Sequence, residues 1–318
     1  MKLYRHCFIK LIFALAPLLF IGFAASPKQL YAQDTSTLTI VPPKFELFAN
    51  PGDVITETIR VRNDSPTPQS YGILIEDFSS AGEEGRVVLE EGENDSQFSL
   101  KKWIEPSSKN LTIQPAEEVV FPFTIAIPKD AEPGGHYASV LFQIGGGGEA
   151  NEGVTSVQHR VGSLILLRIS GNVVEEAQIE TFQAPVYSKS GPVIFNLRIK
   201  NNGTTHIRPN GTIVITNVFG KKVDELPLNG LNVFPGAIRK METTWDKKSL
   251  LGHYTATLVA TYGQQNLPLT AASKFTVISP VAAVIIVVAI ISGILFILSA
   301  IQGKSRLLKA LKVIITGS

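Results

Sequence analysis

Cysteine is almost missing from this chain: one, Cys7, stands among 318 residues, and it precedes an apolar N-terminal run. The segment that follows can form no disulfide, so disulfide-stapled scaffolds are excluded, as are thiol catalysis and cysteine-ligated metals. Catalytic spacings are missing too. None of the five histidines, His6, His136, His159, His206 and His253, stands in a metal-ligand spacing such as HExxH, and there is no G-x-S-x-G elbow. The glycine run Gly145 to Gly148 lacks the Gly-Lys-Ser/Thr of a phosphate loop and reads as a hairpin loop. The acidic group Glu83, Glu84, Glu90, Glu91, Glu93 and Asp95 lacks the alternation of a calcium loop and reads as a solvated loop. No catalytic, cofactor-binding or metal residue can be named, no cofactor is expected, and the chain reads as non-enzymatic. Nucleic acid is not an expected partner. Before residue 280 no run has a sustained helical period.

The ends are informative. Lys2, Arg5 and Lys10 precede an apolar run from Leu11 to Ala25, and small or neutral residues follow at Leu30-Tyr31-Ala32. That is the layout of a secretory signal peptide, assigned to residues 1–33; the other reading is an uncleaved anchor. Val281 to Ile301 holds no charged residue and makes a helix of about 30 Å, the thickness of a bilayer core. A transmembrane helix is therefore expected over 280–302. Lys304, Arg306, Lys309 and Lys312 follow without an acidic residue, so 303–318 reads as a short basic cytoplasmic tail and everything before the span as extracellular.

Between the ends, period two dominates. Phe121, Phe123, Ile125 and Ile127 alternate with less apolar neighbours; so do Ala138, Val140, Phe142 and Ile144, then Val193, Phe195, Leu197 and Ile199, and Leu258, Ala260 and Tyr262. Turn clusters such as Asn63-Asp64-Ser65-Pro66 and Asn201-Asn202-Gly203 separate the runs. Three signatures recur in the same order. Ile59-Arg60-Val61-Arg62-Asn63 is echoed by Leu197-Arg198-Ile199-Lys200-Asn201, Thr112-Ile113-Gln114-Pro115-Ala116 by Asn232-Val233-Phe234-Pro235-Gly236, and the strand at Gly135-His136-Tyr137 by Gly252-His253-Tyr254. The fold class is thus all-β: two tandem immunoglobulin-like β-sandwiches, 34–178 and 179–279, plus one C-terminal transmembrane α-helix. Tyr137 and Tyr254 are expected to open penultimate strands, ring in the core and hydroxyl on backbone. His136 and His253 read as structural.

Charge is divided unevenly. Residues 34–178 hold 22 acidic and 10 basic residues, net −12, and residues 179–280 hold 5 and 11, net +6. Such a division bears on partners, a basic membrane-proximal half attracting polyanions or anionic headgroups. Leu267-Pro268-Leu269-Thr270-Ala271 resembles a sortase sorting signal ahead of an apolar run, but the same residues read as part of the last strand. Asn-X-Ser/Thr occurs at Asn63, Asn94, Asn110, Asn202 and Asn210, where turn chemistry already accounts for asparagine.

Ile40-Val41-Pro42-Pro43-Lys44-Phe45-Glu46-Leu47, Asn50-Pro51-Gly52-Asp53, Val61-Arg62-Asn63, Tyr71-Gly72-Ile73 and Glu76-Asp77-Phe78 together resemble the opening of the WxL-interacting protein family of bacterial surfaces. Trp103-Ile104, Ile127-Pro128 and Pro133-Gly134-Gly135-His136-Tyr137 fit it as well. The resemblance implies a peptidoglycan-binding first domain and a second domain that engages host or partner surface proteins, those of the WxL type being the expected partners; it names no binding residues. The resulting expectation is a membrane-anchored, non-catalytic scaffold contacting peptidoglycan and partner proteins. The alternative is a chaperone-like assembly factor for exported subunits, since paired sandwiches also present edge strands to client segments.

Overall fold

The computed structural model describes residues 38–92, 96–144, 159–248 and 250–316. Residues 1–33, read from the sequence as a signal peptide that includes Cys7, and Gly145–Gly148, read as a hairpin loop, lie outside the described residues.

The chain opens with β1 (Leu38–Val41), then crosses at Pro42-Pro43 to the opposite sheet as β2 (Lys44–Ala49). There follow β3 (Val54–Asn63), β4 (Gln69–Ala81), β5 (Arg86–Glu90), β6 (Ile104–Pro106), β7 (Asn110–Ile113), β8 (Glu118–Ala126), β9 (Gly134–Ile144) and β10 (Arg160–Ile169). One sheet has the order β1-β3-β8-β6. The other runs β2-β10-β9-β4-β5, with β7 also on β4. All pairs are antiparallel except β2 with β10.

A second sandwich repeats the plan. It comprises β11 (Ala177–Gln183), β12 (Tyr187–Ser188), β13 (Val193–Asn201), β14 (Asn210–Asn217), β15 (Lys222–Pro227), β16 (Ile238–Trp245), β17 (Gly252–Tyr262) and β18 (Leu267–Val277). Its sheets are β11-β13-β16 and β12-β18-β17-β14-β15. Again the first strand belongs to one sheet and the next crosses over to pair in parallel, β12 with β18. Ala177 and Gln178, expected to close the first half, open β11 instead.

The alternating residues are the cores. Phe121, Phe123, Ile125, Ala138, Val140 and Phe142 are buried in the first sandwich, and Val193, Phe195, Leu197, Ile199, Leu258 and Ala260 in the second. Burial of each large side chain is worth about 1.5–3 kcal/mol before entropy is charged against it. The sequence repeat has the same chemistry in both copies. Asn63 donates to the carbonyls of Thr67 and Ile113 and accepts from the Ser65 amide; Asn201 donates to Thr205 and Val233 and accepts from Gly203. Each asparagine ends a core strand and ties it to the turn carrying the proline signature. The tight turn there has a left-handed residue in both copies, Ala116 (φ 58°) and Gly236 (φ 72°).

After β18 comes α1 (Pro280–Thr316). Its stretch Ala283–Ile301 is long and apolar enough to cross a membrane, with mean hydropathy 3.1 and none of it buried against the sandwiches. The helix does not stop at the end of that stretch but continues through the residues expected as a separate tail. Leu267 to Ala271, the sortase-like stretch, lies inside β18 with Leu269 buried.

Candidate functional site

β4 is thirteen residues long, more than one sandwich needs. Its first half pairs with β9 and β7, and its second half runs on with β5 as a two-stranded arm. The tip of the arm lies on the second sandwich. The Glu83 carbonyl accepts the Lys240 amide at 2.8 Å, and its carboxylate takes the Arg198 guanidinium, Nε at 2.7 Å from Oε2. That hydrogen bond lowers the Glu83 carboxyl below the usual range and raises Arg198. Gly85 leaves the space in which the Arg239 guanidinium sits. The expectation of a solvated acidic loop is therefore corrected for Glu83. Part of the charge division between the halves is internal complementarity, an acidic arm on a basic sheet.

Beneath the arm an aromatic cluster joins the sandwiches. Phe78 (β4), Tyr137 (β9) and Leu166 (β10) are buried, with Phe98 and Phe234 packed on them. Phe234 meets Phe78 and Tyr137 edge-on, centroids 5.7 and 5.0 Å apart. Tyr137 does open the penultimate strand of its sandwich, but its ring lies in this junction cluster rather than in the main core. Its hydroxyl accepts the His206 amide of the other sandwich at 2.8 Å. Burial raises the Tyr137 phenol above its usual range and pushes the His206 imidazole down to about 4. Tyr254, its counterpart, donates to the Leu251 carbonyl nearby. The junction is tied further by the Gly135 amide on the Thr204 carbonyl, by Asn232 on Glu46, and by Glu175, which pairs with Arg168 and accepts the Gln264 amide.

The segment from Ser96 to Trp103 forms a wall with a cleft on each side. Asp77, buried in β4, holds it: the carboxylate accepts the amides of Leu100 (2.9 Å) and Lys101 (2.8 Å) and the Ser99 hydroxyl. His136 holds it from the other side, its ring nitrogens 3.1 Å from the Ser99 carbonyl and 2.9 Å from the Glu132 carbonyl. His136 is thus a structural strut, and His253, whose Nδ1 meets the Thr276 hydroxyl, shares none of its partners.

On the arm side the wall bounds a cleft of about 300 Å³ with Phe78, Phe98, Tyr137 and Phe234 in its lining and Ser79, Glu90 and Ser96 among its polar groups. On the far side lies a shallower groove of about 390 Å³, with the Trp103 ring tilted at 44° against His136 (centroids 4.5 Å apart) and Gln97, Lys102, Asp130 and Glu132 around it. The motifs Glu76-Asp77-Phe78, Trp103-Ile104, Ile127-Pro128 and Pro133 to Tyr137 are scattered over some sixty residues of sequence but converge on this wall and its two clefts. Glu83, Arg198, His206 and Phe234 were not singled out by sequence reasoning as site residues. Phe234 and Arg198 stand in the repeated signatures, but as turn and strand residues, and nothing in the repeat marks them as facing the other sandwich.

No family model matches the chain, and no curated protein matches it. Among solved structures it is similar to the class 5 fimbriae chaperone CfaA, at 14% identity and TM-score 0.38 over 74% of this chain and 98% of that one. The YadV chaperone is similar at 9% identity and TM-score 0.35, over 75% and 100%. The CsuC–CsuE chaperone–tip adhesion subunit pre-assembly complex of Acinetobacter baumannii is similar at 13% and 0.33, over 65% and 90%. Scores this low carry no inference about ligand or partner. The architecture itself is plain: two immunoglobulin-like β-sandwiches in tandem, followed by one apolar helix.

Proposed function

We propose that this chain is a membrane-tethered, non-catalytic assembly factor whose exterior sandwiches hold an extended segment of an exported polypeptide. The observation that carries the reading is the aromatic cleft at the junction. At about 300 Å³ it lies at the small end of ligand sites, and its aromatic floor suits one bulky apolar side chain better than a run of hydroxylated sugars. Beside it, β5 ends the strand order of its sheet, the position at which an extended client segment would add. The apolar helix serves as the tether, with the cations after residue 303 inside and the sandwiches outside. Surface proteins, the WxL type among them, are the class of client to try first.

Peptidoglycan binding is the second reading, and the Trp103 groove favours it: one aromatic face ringed by amide, ammonium and carboxylate groups is chemistry that binds a glycopeptide. One experiment separates the two. Short extended peptides bearing a single aromatic side chain are titrated against the full-length protein in detergent, and purified sacculi are co-sedimented with it. The first reading expects saturable peptide binding that Ser79→Trp, at the cleft lining, abolishes. Absence of peptide binding, with sacculus binding that Trp103→Ala removes, would replace it with the second.

A further inference from the structure

We infer that the end of the second sandwich next to α1 sits in the bilayer interface, as a collar of apolar side chains and lysines that grips a lipid surface with anionic headgroups. The inference rests on reading α1 as a membrane span.

Only Ile278 and Ser279 separate β18 from α1, a reach of roughly 7 Å. The exit is also stitched down. The Thr276 amide bonds the Val186 carbonyl, the Ile278 amide bonds the Ser188 carbonyl, and the Tyr187 hydroxyl donates to the Ile278 carbonyl at 2.9 Å. Strand register decides what else lies at this end. Gly252 pairs with Val277 and Asn217 with Tyr254, so the turn after β14 and the loop before β17 flank the exit.

These two segments and the one at β12 carry the two most exposed large apolar residues among the described residues outside the helix, Phe219 (89%) and Val186 (82%), with Val218, Leu251 and Tyr187 also exposed. Hairpin tips ordinarily carry polar residues or glycine. This one presents Val218-Phe219 on a rigid frame: the Asn217 side chain accepts the amides of Phe219 (3.0 Å) and Lys221 (3.1 Å), and the Asn217 carbonyl accepts that of Gly220, whose φ of 72° closes the turn. The same three segments carry Lys189, Lys221, Lys247 and Lys248, with Asp246 the one acidic residue among them. Aromatic and aliphatic tips among lysines, at the end of the sheet from which the span leaves and with β14 two strands (about 10 Å) from β18, match a bilayer interface, where apolar groups bury about 5–10 Å deep and lysines meet headgroups. A seated collar would fix the orientation of the sandwiches instead of leaving them on a swivel.

The test uses the full chain in vesicles of phosphatidylglycerol and phosphatidylcholine, in a Cys7→Ser background, with an environment-sensitive fluorophore on Phe219→Cys, Ile290→Cys or Val54→Cys. Position 219 should emit at shorter wavelength and be quenched by nitroxide-labelled lipid, position 290 likewise, and position 54, exposed but distant, neither. Lys247→Glu with Lys248→Glu should return position 219 part-way to a water-like emission. Quenching at 290 with water-like emission at 219 overturns the collar and leaves the span intact. A blue shift at 219 without lipid quenching means a protein contact, a second copy included, and overturns it too. Water-like emission at both 219 and 290 overturns the span itself.

Discussion

Asp77→Ala is the most demanding single change for the wall between the clefts. Asp77 is 3% exposed, and its carboxylate accepts two main-chain amides and one hydroxyl. Alanine leaves the buried Leu100 amide and the part-buried Lys101 amide without that acceptor. Each stranded buried donor costs about 1–3 kcal/mol, so the total is roughly 3–5 kcal/mol. Asp77→Asn is the internal control. Both amides converge on the same carboxylate oxygen, which the Asn carbonyl can replace, while its amino group can donate to the Ser99 hydroxyl. Only charge assistance is lost, about 1–2 kcal/mol. The assay is calorimetry of the full chain in detergent. At about 2–4 °C per kcal/mol the Ala variant should melt about 10 °C lower in the transition of the first sandwich, and the Asn variant a few degrees lower. The Ala variant should also lose peptide binding, because the wall bounds the cleft. An Ala variant melting within about 2 °C of the parent would refute the reasoning, because the wall would then be held by something other than this carboxylate.

Acidification should loosen the junction. Burial holds the His206 imidazole down to about 4, with Arg168 and Lys44 acting in the same direction and Glu46 opposing. Between that value and the ordinary 6.5 the unfolded chain binds a proton that the folded chain does not. Stability is therefore full above about pH 6.5 and falls on the way to pH 4, by about 3 kcal/mol in all; a His206→Gln variant with the same pH slope would contradict this. Glu83→Arg should detach the arm by setting like charge against Arg198, seen as faster hydrogen exchange at the Lys240 amide; unchanged exchange there would mean the arm is held otherwise. Asn63→Ala and Asn201→Ala, both fully buried with matching bonds, should each destabilise their own sandwich by about 2–4 kcal/mol. Calorimetry showing one severe and one neutral would break the equivalence of the repeats.

Much of the fold was legible before the coordinates. Alternation over Phe121 to Ile127 or Val193 to Ile199 reports a one-sided strand, because successive side chains point to opposite faces whatever the partner strand is. Asn63 and Asn201 stood out as a repeated strand ending, and their shared bonds explain why the same residue type recurs. The uncharged run from Val281 was readable because crossing a bilayer needs only local length and apolarity. What tertiary structure alone decided is which distant residues meet. Glu83 finds Arg198 across 115 positions, and the Tyr137 hydroxyl accepts the His206 amide of the other sandwich rather than bonding within its own. The acidic cluster read as solvated because charge by itself does not say what lies opposite. Val186, Phe219 and Leu251 each look like ordinary loop residues in the sequence. Strand register gathers them at the helix exit, because pairing fixes ends of strands in space while sequence fixes only their order.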